Sequence, residues 1–248
     1  DKIGGKFMHV LIFTGGQAPL PRDTTFYFAH APKVDYVIAA DAGLDTLESY
    51  RHFYDGNYDF SPNFILGDMD SIKDSSLLQK YSNVKSEVYN CDKDFTDTEL
   101  ALQHAHSLFK NSPEEGMITL VGGDGGKTEH TLAIYDSFSF DYHADVWLTP
   151  TRVLCFVKQG HKIKFAGINT EQKISVLRTS KNFSSGYVES KGLEWEGEKF
   201  RKEGMPSISN RLNAKCYASR EPCTLTAYEA DFIVVLPIDS TVWHPVLA

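Results

Sequence analysis

Short apolar runs alternate with polar, helix-periodic segments through about residue 150 of this sequence. This alternation is typical of βα units built around a mostly parallel sheet, and it predicts a Rossmann-like α/β domain. The predicted strands are Met8 to Thr14, Tyr36 to Ala40, Asn63 to Leu66, Met117 to Val121 and Asp145 to Leu148.

The pattern changes after Pro150 to short β-like runs separated by turn residues. These runs are Val153 to Val157, Lys162 to Phe165, Lys173 to Leu177, Thr224 to Tyr228 and Phe232 to Leu236. Their spacing predicts an antiparallel, all-β sandwich. A chain of 248 residues is long enough for two cores. We therefore expect an α/β domain over residues 1–150 and a β-sandwich domain over residues 151–248.

The charge and hydropathy of the sequence indicate which kinds of molecule the protein binds. The net charge of −8 argues against nucleic acid, because the chain has no basic surface for a phosphate backbone. The apolar runs are far shorter than the roughly 20 residues of a membrane span. The first residues lack the apolar core of a signal peptide, which predicts a cytosolic location. A small-molecule ligand is the better expectation.

Carboxylates follow several predicted strands. They are Asp41, the pair Asp68 and Asp70, and the group Asp92, Asp94 and Asp97. Ligands of an open parallel sheet bind beyond the carboxyl ends of its strands, so these acids are expected at one crevice. Clustered carboxylates repel one another unless a cation compensates, and Mg²⁺ with nucleotide phosphates would do so. A single Asp in a loop is also common as a turn former or helix cap.

Two local motifs flank this group. Thr96 and Glu99 have the spacing of a capping box, which predicts the start of a helix that runs to about Lys110. Residues 122–127, Gly-Gly-Asp-Gly-Gly-Lys, lie between a predicted strand and a helix that starts near Glu129. Such a loop can bind phosphate through its backbone amides, although it matches neither the P-loop nor the dinucleotide fingerprint and is also explained as a plain turn.

Four ordered motifs together resemble the thiamine pyrophosphokinase family. They are Asp41-Ala42-Gly43, Gly67-Asp68-Met69-Asp70-Ser71, Asp92-Lys93-Asp94-Phe95-Thr96-Asp97 and Gly125-Gly126-Lys127-Thr128-Glu129-His130. Two further signatures, Gly192-Leu193-Glu194-Trp195 and Ser207-Ile208-Ser209-Asn210, extend the resemblance over nearly the whole chain.

The resemblance implies that diphosphate passes from ATP to the hydroxyl of thiamine, with Mg²⁺ as cofactor and AMP as leaving group. It implies that Asp68, Asp70, Asp94 and Asp97 are catalytic and hold the metal. It also implies a substrate-binding set of Asp41, Asp92, Lys93, Thr96, Gly125, Gly126, Lys127, Glu129, His130, Trp195, Ser207, Ser209 and Asn210. In this family the C-terminal residues reach across a two-fold interface, so the resemblance implies a homodimer with sites at the interface.

Three residues depart from the family pattern. Met69 replaces an aromatic residue, and Lys127 and Glu129 replace Arg and Asp. Lysine cannot form the bidentate fork of arginine. Two alternatives therefore stay open: another Mg²⁺-dependent phosphotransferase or phosphohydrolase on this scaffold, and a non-catalytic nucleotide-binding regulatory protein.

Overall fold

The computed structural model describes residues 7–90, 92, 94–110, 116–182, 186–196 and 207–248. The strands of these residues are β1 (Met8–Phe13), β2 (Tyr36–Ala40), β3 (Phe64–Gly67), β4 (Lys85–Val88), β5 (Gly116–Val121), β6 (Val146–Leu148), β7 (Arg152–Val157), β8 (His161–Ala166), β9 (Ile174–Arg178), β10 (Tyr187–Lys191), β11 (Ser207–Asn210), β12 (Cys223–Tyr228), β13 (Phe232–Pro237) and β14 (Thr241–Leu247). The α-helices are α1 (Thr25–His30), α2 (Gly43–Phe53), α3 (Ser76–Lys80), α4 (Asp97–Lys110), α5 (Thr128–Ser137) and α6 (Ala214–Ser219). Among these residues, no helix combines the length and the apolar character needed to cross a membrane.

The chain divides into two compact units. The first contains the residues up to Arg22 together with Pro32–Pro150, and the second contains Asp23–Ala31 together with Thr151–Ala248. The short segment Asp23–Ala31, which includes α1, therefore belongs with the C-terminal residues and not with its neighbours in sequence.

A parallel sheet with the strand order β6-β5-β1-β2-β3-β4 forms the centre of the first unit. Its central strands are apolar on both faces, and Val10 through Phe13 are fully buried. Helix α2 adds Leu44, Leu47 and Tyr50 to the core. The chain order changes direction at β1, which lies between β2 and β5, and open α/β sheets bind their ligands at such a point.

Antiparallel pairing organises the second unit. One set of strands has the order β11-β9-β13-β7, and the other has the order β10-β12-β8-β14. The expectation of an all-β domain is incomplete, because this unit also contains α1 and α6. Helix α1 buries Tyr27 and Phe28 and contacts β14. Helix α6 is capped by Asn213, whose Oδ1 accepts a hydrogen bond of 2.7 Å from the Cys216 amide.

Candidate active site

A cavity of about 590 Å³ lies in the first unit, where the loops after β1, β2, β3 and β5 meet helices α4 and α5. The sequence-predicted residues that line it are Asp41, Asp68, Asp70, Thr96, Asp97, Gly126, Lys127 and His130. Strand ends therefore bring Asp41, Asp68, Asp70 and part of the glycine-rich loop to one cavity. Its volume is within the range of small-molecule sites.

Asp41, Asp68 and Asp70 form an acid cluster in this cavity. Each offers a carboxylate oxygen, and the three oxygens all lie within 4.8 Å of one another. The Oδ1 atom of Asp41 is buried and has no hydrogen-bond partner among the described residues. Three carboxylates at this separation can supply oxygen ligands to a hard divalent cation.

Burial and charge repulsion act on the Asp41 carboxyl. Its pKa is raised, chiefly because burial disfavours the charged form, and the nearby Asp68 carboxylate adds to the rise. Hydrogen bonds from Ala42 and Ser71 oppose this rise by lowering the pKa. A cation at the cluster would stabilise the ionised form of all three acids.

The backbone that carries the cluster is strained. Asp41 has a φ of 48° and Met69 has a φ of 63°, both in the left-handed region that residues other than glycine seldom adopt. Gly67 has a φ of 136°, and a Cβ atom there would lie 3.0 Å from the Asp41 Cβ. Strain of this kind persists where the surrounding structure fixes it, often at functional sites.

Ser71 connects the acids within the loop after β3. Its hydroxyl donates a hydrogen bond of 2.8 Å to Asp70 Oδ1. Ser71 also forms hydrogen bonds to the Asp41 carboxyl that lower its pKa. It therefore interacts with the acid that follows β2 and with an acid that follows β3.

The glycine-rich loop is tied to the loop after β1. The Gly123 amide donates to the Gly15 carbonyl at 2.8 Å, and Gln17 and Asp124 exchange backbone hydrogen bonds of 2.6 and 3.3 Å. The amides of Gly123 and Asp124 are thereby engaged with carbonyls. An anion at this loop would therefore have to bind the exposed segment from Gly125 to the start of α5.

The capping box at the start of α4 forms as predicted. The Thr96 amide and hydroxyl each donate to Glu99 Oε2 at 2.9 Å, and the Glu99 amide donates to Thr96 Oγ1 at 3.1 Å. The adjacent Thr98 hydroxyl is 2.6 Å from the Thr14 hydroxyl, which ties α4 to the end of β1. These contacts hold Asp97 at the edge of the cavity.

Replacing Thr96 by alanine is expected to lower the free energy of unfolding by about 1 kcal/mol, because the Glu99 amide loses its acceptor. Thr96→Ser keeps the hydroxyl and serves as the matched control. Urea unfolding of both variants checks the prediction. Equal stability of the alanine and serine variants would show that the Thr96 hydroxyl contributes nothing to the cap.

Several predicted residues lie outside the cavity lining. Asp92 and Asp94 are exposed, as are Gly125 and Glu129, and none of the four lines the cavity. Lys93 lies outside the described residues. The metal role of Asp94 therefore rests on the family resemblance alone, whereas the structure groups Asp41 with Asp68 and Asp70.

The C-terminal signatures pair with each other in the second unit. The buried Asn210 accepts a hydrogen bond from the Trp195 amide at 3.3 Å, and its Nδ2 donates to the Trp195 carbonyl at 3.2 Å and to Ser207 Oγ at 3.0 Å. Ser209 has a φ of 60°, and its amide donates to Ser175 Oγ at 3.1 Å. Asn210 therefore fixes the backbone beneath the exposed Trp195 ring, which also has the Arg211 guanidinium 5.4 Å from its centroid.

Sequence reasoning did not select several residues of the cavity. Thr14, Thr98, Leu102 and Ile134 line it. Thr14 is the last residue of a predicted strand, so its position at a strand end was a usable signal. The others lie on helices whose periodicity indicates a buried face but not a ligand.

Solved structures with the same fold include thiamin pyrophosphokinases. The enzyme from Bacillus subtilis superposes with a TM-score of 0.66 at 19% identity, over 94% of this chain and 99% of that one. Those from Candida albicans and yeast each give 0.62 at 17% identity, over 94% and 96% of this chain and 89% of theirs. No curated protein sequence matches the chain. The fold is thus that of the thiamin pyrophosphokinases.

A family model also matches part of the amino-acid sequence. The family model of the thiamin pyrophosphokinase catalytic domain matches residues 29–144, a range that includes the acid cluster and the glycine-rich loop. This match and the shared fold confirm the resemblance to the thiamin pyrophosphokinase family that the motifs indicate.

Proposed function

We propose that the chain is a thiamine diphosphokinase, which transfers diphosphate from ATP to the hydroxyl of thiamine and releases AMP. The observation that carries the proposal is the cluster of Asp41, Asp68 and Asp70 in one cavity with Lys127 and the glycine-rich loop. The match of residues 29–144 to the model of the thiamin pyrophosphokinase catalytic domain supports the same reaction.

The residues of the cluster fit Mg²⁺. Hard cations prefer oxygen ligands, and the buried Oδ1 of Asp41 has no partner among the described residues. We propose that Asp41, Asp68 and Asp70 hold the ion, with Asp97 at the same cavity. When bound, Mg²⁺ would neutralise phosphate charge and act as a Lewis acid.

In the proposed reaction the thiamine hydroxyl oxygen forms a bond to the β-phosphorus of ATP. The bond from that phosphorus to the oxygen shared with the α-phosphate breaks, and AMP leaves with this electron pair. The hydroxyl proton passes to a carboxylate of the cavity.

The part of the cavity lining that comes from the glycine-rich loop and α5 provides positive charge and hydrogen-bond donors. Lys127, His130 and Gly126 line it at the start of α5, where the helix dipole favours an anion. We propose that Lys127 binds phosphate as a point charge in place of the arginine of the family pattern. These groups would orient the polyphosphate chain for attack in line.

Product analysis tests the proposal. The purified chain with ATP, Mg²⁺ and thiamine should yield AMP and thiamine diphosphate in equal amounts, measured by chromatography. ADP or inorganic phosphate would instead identify another phosphotransferase or a phosphohydrolase. Nucleotide binding without turnover would identify a regulatory protein.

Trp195, Ser207, Ser209 and Asn210 are proposed thiamine contacts by analogy with the family. A homodimer, in which these residues complete the site of the partner subunit, is part of the same proposal. The cytosolic location stays a prediction.

Replacing Trp195 by alanine is expected to weaken thiamine binding while leaving ATP binding unchanged. An aromatic face contributes about 0.5 to 2 kcal/mol to a bound cation, so the dissociation constant of thiamine should rise by roughly a few-fold to thirtyfold. Calorimetric titration of each ligand checks the prediction. Trp243→Ala, which removes another partly exposed tryptophan of the same unit, is the matched control. Equal losses for both ligands would assign Trp195 a structural role.

A further inference from the structure

The acid cluster is assembled from two separate segments of the first unit. Asp41 follows β2 and precedes the start of α2 by two residues, whereas Asp68 and Asp70 belong to the loop after β3. The distances between the three carboxylates therefore depend on how that loop is held against α2. Ser71 makes contacts inside the cluster, and a second set of contacts lies outside it.

Asp45, in the first turn of α2, makes this second set. Its Oδ2 accepts a hydrogen bond of 2.9 Å from the Lys73 amide, and its Oδ1 accepts one of 3.1 Å from the Asp74 amide. Both oxygens of one carboxylate thus bind two consecutive amides of the loop. Hydrogen bonds to an ionised acceptor are stronger and shorter than neutral ones.

The loop continues from these amides into α3 through Asp74. Asp74 Oδ1 accepts hydrogen bonds from the Ser76 amide at 3.0 Å and the Ser76 hydroxyl at 2.6 Å. The segment from Gly67 to Asp74 is therefore held at one end by β3 and at the other by Asp45. Asp45 itself does not line the cavity.

We propose that Asp45 is a positioning residue, which fixes the loop of Asp68 and Asp70 relative to Asp41 and so sets the affinity of the cluster for a divalent cation. The inference rests on the proposed function, because it takes the cluster as the metal site. Groups that orient metal ligands without touching the metal commonly change metal affinity by about 10- to 100-fold when they are removed.

The test uses the full chain with the substitutions Asp45→Ala and Asp45→Asn. Alanine removes both acceptors, whereas asparagine keeps one oxygen and preserves the side-chain volume. Asp59→Asn is the matched control, because Asp59 also binds a backbone amide, that of Ser61 at 3.0 Å, but in the loop before β3 and thus at the other end of the sheet. The probe is Mn²⁺ alone, titrated and followed by electron paramagnetic resonance.

We expect Mn²⁺ binding to weaken by about tenfold in Asp45→Ala and less in Asp45→Asn, with no change in Asp59→Asn. The Mg²⁺ concentration for half-maximal turnover should rise in parallel, while the turnover number at saturating Mg²⁺ stays near that of the wild type. An Asp45→Glu variant, which restores a carboxylate, should recover part of the affinity.

Two results would overturn the proposal. A lower melting temperature of both variants with unchanged Mn²⁺ affinity would make Asp45 a structural residue only, even though the wild type forms thiamine diphosphate. Failure of the wild-type chain to bind Mn²⁺ at millimolar concentrations would remove the metal site itself. Thiamine diphosphate formation by the wild type, measured in parallel, separates failure of the inference from failure of the proposed function.

Discussion

Asp70→Asn is expected to slow thiamine diphosphate formation by at least about a hundredfold, a rise in the activation barrier of about 2.7 kcal/mol. The substitution removes one charge from the acid cluster at almost constant volume. The asparagine Oδ1 can still accept the hydrogen bond that the Ser71 hydroxyl donates to Asp70, so the loop keeps this contact. The loss should therefore appear in turnover and Mg²⁺ dependence and not in stability.

Steady-state kinetics and thermal unfolding of the purified variant check this prediction. Asp55→Asn removes the same charge from an exposed turn after α2 and should retain full activity. If Asp70→Asn keeps a rate within about threefold of the wild type, a barrier change below 1 kcal/mol, Asp70 does not hold the metal.

Gly43→Ala is expected to destabilise the first unit strongly. Gly43 is buried at the start of α2, and a Cβ atom there would lie 2.1 Å from the Phe13 carbonyl oxygen, 2.4 Å from its carbonyl carbon and 2.7 Å from Thr14 Cα. All three atoms are backbone at the end of β1, so no side chain can move aside. Overpacking of this kind costs about 3 kcal/mol, and the melting temperature should fall by roughly 6 to 12 °C.

Gly56→Ala separates this clash from backbone strain. Gly56 has a φ of 76° and no atom within 4 Å of the added Cβ, so it should lose only about 1 kcal/mol for the left-handed conformation. Differential scanning calorimetry of both variants makes the comparison. Equal melting temperatures would contradict the close approach of α2 to the end of β1.

The parallel sheet of the first unit was predictable because its strands are buried on both faces. Such strands appear in the sequence as continuous apolar runs, as in residues 8–13 and 117–121. Strand β4, Lys-Ser-Glu-Val, is exposed throughout at the edge of the sheet, and its polar sequence gives no such signal. Strand β11, Ser-Ile-Ser-Asn, was not predicted either, because three of its four residues are polar.

The C-terminal unit was predicted less completely, in part because its helix α1 depends on distant contacts. Helix α1 belongs to this unit although it precedes most of the first unit in sequence. Its burial against β14 joins segments more than 200 residues apart, and no local pattern encodes such a contact.

The candidate site shows the same division between local and long-range information. Asp68 and Asp70 could be selected because they follow a strand directly, and the capping box of Thr96 and Glu99 is a local motif. The contact of Thr14 with Thr98 and the support of the Lys73 and Asp74 amides by Asp45 join residues 84, 28 and 29 positions apart. Their roles follow only from the fold.

The most direct test of the proposed reaction follows the β-phosphate of ATP. The purified chain is incubated with Mg²⁺, thiamine and ATP that carries a radioactive β-phosphorus, and the products are separated by chromatography. We predict that the label enters thiamine diphosphate while unlabelled AMP is released, because the β- and γ-phosphates move as one unit. Label that remains in ADP, or that is released as inorganic phosphate or diphosphate without esterifying thiamine, would contradict diphosphate transfer by this cavity.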